Sequence, residues 1–486
     1  MSKLPADCWY KIFEYLEDDI HSLYSCILVN RLWCEVSVRI LWRNSWNYTN
    51  LNFNTLIACL PNKSKEILSK NEITILTPTL KPPTFNYASF CKILSVNRVY
   101  YNIERLLINQ QNILPRSLKY YAFIVAQEVF QMFIKEISSL RNLIFFPFPY
   151  ITFSFSLLYP EAKDCLKNLS ELRCGSDISA GFFYQLSQIC FNIQSLTIEF
   201  KRIISNGISD MISVQRNLKC FDIILYDNYS MANIMFSLMS KVPKTLIKLV
   251  IYSNVYCTPA LSFIANFSNL QELKLSFDLK ECFNDFDKLQ YAIFSQLQVL
   301  KICNELPSDG SLIKFLENNG KNLKEIYIGE NERCSGNSLN LAISKFCPML
   351  RKLSTGIKNN ELESLKIIFN SCKYLESIKI WCGGEFLSEK QALEMVVKYS
   401  QNINELILYH IFTVRFNLLP EELESFFVNW TNRVPQKSLS LVIVIYDEEN
   451  SLDKNDENIE IINKYTKLGV IKKFKVTDFV DDEYNI

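Results

Sequence analysis

Most of the chain repeats one short phrase, apolar-x-x-apolar-x-apolar. It occurs in NLSELRC at 168, NIQSLTIEF at 192, NLKCFDIIL at 217, TLIKLVIYS at 245 and NLQELKLSF at 269. It returns in QLQVLKIC at 296, NLKEIYIG at 322, MLRKLSTG at 349, YLESIKIWC at 374 and NINELILYH at 402. The first apolar residues are Leu169, Ile193, Leu218, Leu246, Leu270, Leu297, Leu323, Leu350, Leu375 and Ile403, at intervals of 24, 25, 28, 24, 27, 26, 27, 25 and 28. The last two apolar positions of each phrase sit two apart, which puts both on one face of a short strand. Between phrases the spacing turns helical, as in Phe182, Leu186, Ile189 and Cys190. Strand followed by helix, repeated, predicts a parallel sheet backed by helices, each unit covering its neighbour's apolar face. Looser phrases at Ile103/Leu106/Ile108, Leu140/Leu143/Phe145, Leu439/Val442/Val444 and Ile471/Phe474/Val476 extend the array.

This phrase and its interval resemble leucine-rich repeats, whose period is about 20–29 residues. Cys190, Cys347 and Cys372 each stand three residues before a strand's first apolar residue, as in the cysteine-containing subtype. A small buried side chain at a tight helix-to-strand turn suits cysteine in any case. The Asn or Cys that the family places three residues after the strand's last apolar position occurs only at Asn254 and Asn331. Asp177, Lys201, Tyr226, Asp278, Glu305, Lys358, Gly383 and Ile411 hold that position elsewhere. With that ladder of backbone-satisfying side chains mostly missing, the expected fold is α/β. It is an irregular solenoid of variable curvature, with its parallel sheet on the concave face and its helices on the convex face.

Residues 4–42 have a different texture. Pro5 suits a first helical position, and Trp9, Ile12, Phe13 and Leu16 line one side of the helix it opens. Asp18-Asp19 interrupts. Leu23, Cys26, Ile27 and Val29 mark a second helix, and Trp33, Val36, Ile40, Leu41 and Trp42 a third. A core of about 40 residues is at the lower limit for autonomy without a staple, a metal or a partner. The Leu4-Pro5 start, Ile12-Phe13 with Leu16, the acidic break, and the Trp33…Leu41-Trp42 ending together resemble an F-box. That resemblance implies docking on the Skp-type adaptor of a cullin–RING ubiquitin ligase, with Leu4, Pro5, Ile12, Phe13, Leu16 and Trp33 contributing to the contact. The expected organisation is an F-box over 1–45, a linker and cap at the start of the solenoid over 46–100, and the solenoid over 101–486. The run DEENSLDKNDENIE at 447–460 reads as a solvated acidic loop near its end.

In each strand the residue between the two inward apolar positions points to the concave face, as does the one after them. Arg173, Lys274, Lys301, Tyr327 and Lys379 come from the first of these columns, and Tyr252, Trp381 and Tyr409 from the second. They predict a basic, aromatic-studded groove for a protein substrate, and lysines there suit an acidic or phosphorylated peptide. Lysines on strands also keep sheets from pairing, which needs no ligand.

The composition narrows the function further. A net charge of +1 draws the chain to neither nucleic acid nor a membrane surface. The start MSKLPADCWYK lacks the apolar stretch of a secretory signal, and 16 cysteines then read as reduced thiols in the cytoplasm or nucleus. No Gly-rich phosphate loop and no CxxC occurs, and His21 and His410 are the only histidines. No Ser/His/Asp set or metal cluster can be assembled from these residues, and Cys34 or Cys174 could be nominated as a nucleophile only arbitrarily. The expectation is a non-enzymatic, cofactor-free substrate receptor of a ubiquitin ligase. The alternative is a leucine-rich-repeat scaffold or small-GTPase regulator in which the opening helices only cap the solenoid.

Overall fold

The computed structural model describes residues 4–75, 83–110, 115–147, 161–226, 237–254, 259–329, 336–410, 418–434, 437–445 and 452–478. The chain divides into two compact units, residues 1–221 with 241–243, and residues 222–240 with 244–486.

The first unit opens with α1 (Ala6–Glu14), α2 (Ile20–Ile27) and α3 (Arg31–Leu41), followed by α4 (Asn50–Cys59) and α5 (Asn62–Lys70). The repeating part then runs β1 (Ile93–Ser95), α6 (Val96–Gln110), α7 (Pro115–Glu136), β2 (Asn142–Phe145) and α8 (Ala162–Leu166). It continues with β3 (Glu171–Gly175), α9 (Ala180–Ser187), β4 (Ser195–Phe200) and α10 (Gly207–Ser213). The unit boundary falls within β5 (Cys220–Leu225).

In the second unit β6 (Lys248–Ser253), β7 (Glu272–Phe277) and β8 (Val299–Asn304) are joined by 3-10 turns. Beyond them helix and strand alternate: α11 (Asp309–Asn319), β9 (Glu325–Ile328), α12 (Asn337–Phe346), β10 (Lys352–Thr355), α13 (Leu362–Ser371) and β11 (Ser377–Cys382). The series ends with α14 (Glu389–Tyr399), β12 (Glu405–His410), α15 (Pro420–Thr431), β13 (Leu439–Ile445), α16 (Asp456–Lys467) and β14 (Ile471–Asp478).

Within each unit neighbouring strands pair in parallel and in chain order, which is the leucine-rich-repeat solenoid the phrase predicts. In the second unit Leu249, Leu273, Leu300, Ile326, Leu353, Ile378, Leu406, Leu441 and Phe474 stand side by side. Leu143, Leu172 and Leu196 do the same in the first. The ten leading apolar residues are all buried to 2% exposure or less. Cys190 and Cys372 are buried as expected, and each thiol reaches the preceding repeat, Cys190 to Leu166 O at 3.2 Å and Cys372 to Cys347 O at 3.6 Å. Burial pushes both thiols up to about 12, so they remain protonated donors.

Side-chain ties between repeats concentrate instead at the opposite, helix-to-strand end of the repeat. Buried amides at two helix ends each close three bonds. Gln215 donates to Cys190 O and Met211 O and accepts from Ile193 N. Asn319 donates to Ala292 O and Phe315 O and accepts from Phe294 N. The Asn before the leading apolar residue forms a further tie: Asn269 donates to Lys244 O, Asn322 to Ser295 O and Asn402 to Lys373 O. At the turn position itself Asp177 and Lys201 pair at 3.6 Å.

Four expectations are corrected. Ile103 and Leu106 lie on α6, because Ile103, Leu106 and Leu107 follow a helical spacing and are buried on it. The first strand is β1, inside the stretch read as linker. In β13 the inward pair is Leu441 and Ile443, not Val442 and Val444, since LVIVI is apolar at every position and has no period to fix its phase. The described part of the acidic run is not an open loop. Asn455 accepts from Asn458 N at 3.2 Å and starts α16, with Asp456 and Glu457 at its positive end. Residues 447–451 of that run lie outside the described residues.

Candidate functional surfaces

In the opening block two side chains set the helix starts. Asp19 accepts from Ser22 N and Asn30 accepts from Trp33 N, each at 3.0 Å. Phe13, Leu23, Val36 and Ile40 form the core, with Trp9, Leu16, Leu32, Trp33 and Leu41 packed around it. Trp33 lies 5.0 Å from Phe13, edge to face at 89°, and 4.9 Å from Trp9. This packing splits the six predicted adaptor contacts. Leu4, Pro5 and Ile12 lie outside, Ile12 at 46% exposure. Phe13 is buried, and Leu16 and Trp33 are half-buried against it. Phe13 therefore holds the helices together and offers almost no surface.

The outward face carries residues that the sequence reading missed. Tyr15 is 93% and Leu28 87% exposed, and Tyr24 and Val29 are also open to solvent. Cys8, Ile12 and Tyr15 follow one another at helical spacing, as do Tyr24 and Leu28, so this second apolar stripe was legible as one facing away from Phe13. Beside it, Tyr24, Ile27, Val38 and Trp42 of the block, with Leu51 and Tyr87, border a cleft of about 840 Å³.

Arg43 fastens the block to the strand that follows. Its guanidinium meets Glu14 at 2.7 Å, Glu17 at 2.9 Å and the Tyr10 hydroxyl at 2.5 Å. Its carbonyl accepts from Lys92 N and Ile93 N at the start of β1. The Arg43 hydrogen bond holds the Glu14 carboxyl below its ordinary range.

The predicted columns do form rows on the sheet face opposite the inward leucines. Lys274, Lys301, Tyr327, Ser354 and Lys379 stand side by side across β7 to β11, and Trp381 stands beside Tyr409. The open basic groove is not what they build. Lys301 is 8%, Lys379 5%, Trp381 1% and Tyr409 2% exposed. Trp381, Tyr409 and Phe386 pack with Val442 and Val444, the outward residues of β13, into a second small core. Lys379 Nζ lies 4.2 Å above the Tyr409 ring and Lys301 Nζ 4.9 Å above Tyr327. Burial lowers the Lys301 pKa. Arg173 is exposed, paired with Glu199 at 3.1 Å and stacked over Phe146. Arg173 in the first unit, and Tyr252, Lys274 and Tyr327 in the second, keep accessible surface.

Of the two histidines, His21 is exposed on α2. His410 ends β12 on the inward side, buried, its Nε2 3.3 Å from Glu389 Oε1. Desolvation lowers its pKa to about 4. Cys174 is fully buried and its thiol is pushed up by burial, the opposite of a nucleophile's environment. Among the described residues no three His, Cys, Asp or Glu side chains are placed to hold a metal ion, and no helix is long and apolar enough to cross a membrane.

No protein-family profile matches the chain, and no curated protein is found to be similar to it. Among solved structures it is similar to a chain of the Rad7–Elc1 complex from yeast, at 15% identity and a TM-score of 0.39, over 93% of this chain and 94% of that one. LegL7, a leucine-rich-repeat-containing protein from Legionella pneumophila, is similar at 13% identity and a TM-score of 0.32, over 70% of this chain and 93% of its own. A chain of the Toll–Spatzle complex from Drosophila follows at 11% identity and 0.29, over 65% and 55%. Likeness at this level adds no argument to the geometry.

Proposed function

We propose that this chain is the substrate-recognition subunit of a Skp–cullin–F-box type ubiquitin ligase. The opening block docks on the Skp-type adaptor and through it on the cullin–RING complex, in the cytoplasm or nucleus. One observation carries the reading: a block whose core is already closed by Phe13, Leu23, Val36 and Ile40 still exposes Leu4, Ile12, Tyr15 and Leu28. Apolar surface of that kind on a small module is what a partner covers. The repeats of the second unit hold a protein substrate on the sheet face around Tyr252, Lys274 and Tyr327, and the transfer chemistry belongs to the partners. The chain itself is not an enzyme.

Co-expression with a Skp-type adaptor tests this. The native chain co-purifies with the adaptor, and an Ile12→Asp/Leu28→Asp variant with an unchanged melting temperature does not. Failure of the native chain to bind leaves the second reading, in which the helices only cap the solenoid of an interaction scaffold. The Arg43 tie between α1 and β1 favours that reading specifically, because it does what a cap needs.

A further inference from the structure

Three consecutive helices of the second unit end side by side. A Cβ on Gly320, just after α11, would fall 2.7 Å from Phe346 O and 2.9 Å from Cys347 Sγ, so glycine is what lets this end close on the end of α12. Cys372, just after α13, reaches Cys347 O in turn. The chain then enters β9, β10 and β11, whose leading residues are also neighbours: Arg351 N donates to Lys324 O at 2.7 Å and Glu376 N to Arg351 O at 2.8 Å. This rim gathers exposed Lys321, Lys324, Lys345, Arg351, Lys352 and Lys373 against three carboxylates, Glu317, Glu325 and Glu376. Glu325 is taken by Lys352 at 3.2 Å and Glu376 lies 3.6 Å from Arg351. Glu317 is bridged to Lys314 at 2.7 Å and also feels the Lys345 charge, and among the described residues no carboxylate lies within 4 Å of the Lys321, Lys345 or Lys373 ammonium. In a chain of net charge +1 this is a strong local excess.

Lysines near helix ends are accounted for by the helix dipole. The dipole does not account for the two residues between them. At the position where other repeats place the Asn that ties one repeat to the next, these two consecutive repeats carry Met349 and Tyr374, 42% and 52% exposed. The polar ladder is broken twice, by apolar side chains, in the middle of the basic rim. Cations around a central aromatic and aliphatic pair are the composition of a protein-docking patch.

We propose that this rim, Lys321, Lys345, Arg351 and Lys373 around Met349 and Tyr374, is a docking surface for an acidic segment of a partner protein that sets an apolar side chain between its carboxylates. The surface belongs to the second unit, and the proposal does not depend on adaptor docking.

The probe is a fluorescein-labelled peptide alternating glutamate pairs with phenylalanine and leucine, followed by anisotropy with the full chain. The native chain binds it, and binding weakens as salt rises because the Debye length shrinks from about 30 Å at 0.01 M to about 8 Å at 0.15 M. K321E/K345E/K373E weakens binding roughly tenfold, the sum expected of three exposed charge contacts. M349N/Y374N restores the Asn that other repeats use, keeps or raises the melting temperature, and weakens binding several-fold. The proposal is overturned if the native chain does not bind, or if either folded variant binds as well as native. It is equally overturned if phosphatidylserine vesicles or single-stranded DNA bind the rim more tightly than the peptide.

Discussion

Replacing Asn319 by Ala removes one side chain and strands backbone groups in two repeats. The Asn319 amide donates to Ala292 O at 2.9 Å and to Phe315 O at 3.0 Å, and its carbonyl accepts from Phe294 N at 2.7 Å. The residue is 4% exposed, so water does not readily replace these bonds. Phe315 O sits within the helix ladder, which leaves Phe294 N–H and Ala292 C=O as the groups that lose this partner. Each buried orphan costs about 1–3 kcal/mol, and alanine's better helix propensity returns about 0.5 kcal/mol. The net loss is about 1.5–5.5 kcal/mol, a large share of the 5–15 kcal/mol that holds a typical domain. Urea unfolding reads the loss, and amide exchange places it, because solenoids are held mainly by nearest-neighbour contacts and open locally. Protection should fall around Phe294 and the end of α11 while β3 and β4 are unchanged. Asn318→Ala is the control: it removes an amide bond to Gln290 O of 2.7 Å, but an exposed one. A loss below about 0.5 kcal/mol at Asn319, or equal losses at the two positions, refutes the assignment of these amides as the repeat-to-repeat ties.

Two further outcomes are expected. Phe13→Ala costs about 3–5 kcal/mol and shifts the emission of Trp9 and Trp33, whereas Ile12→Ala costs less than about 1 kcal/mol and leaves it unchanged. Both lose adaptor, and a native-like Phe13→Ala emission spectrum with retained binding would contradict the packing of the block. The His410 imidazole, held at about 4 by burial against about 6.5 in an unfolded chain, binds its proton more weakly when folded. The unfolded chain is thus favoured progressively as pH falls from about 6.5 through about 4, and His410→Gln removes that part of the acid sensitivity. Superimposable stability–pH curves for the two proteins argue against it.

The repeat was legible because it is periodic: a leucine at each leading position, 24 to 28 residues apart, fixes strand phase without any knowledge of neighbours. Legibility fails where the period does. LSLVIVI offers no alternation, so only pairing with β12 decides that Val442 and Val444 face outward. That one-residue slip in the reading of β13 has a functional consequence. Those outward valines give Trp381 and Tyr409 an apolar neighbour to pack on, which closes over a stretch of sheet read as a groove. Lys379 shows the same limit from the other side. Its column position is right, and its register with Ser354 and Ile407 is as read, but whether a lysine on a sheet face is a free cation depends on residues in other repeats. In the opening block the sequence puts Trp9, Ile12, Phe13 and Leu16 on one side of a helix and does not apportion which of them are core. Phe13 and Ile12 are adjacent in sequence and similar in hydrophobicity, and only the packing of Trp33 against one of them separates a residue that builds the block from one left exposed. A half-exposed apolar side chain in place of a polar ladder residue, as at Met349 and Tyr374, is the kind of exception that periodicity exposes and folding alone does not explain.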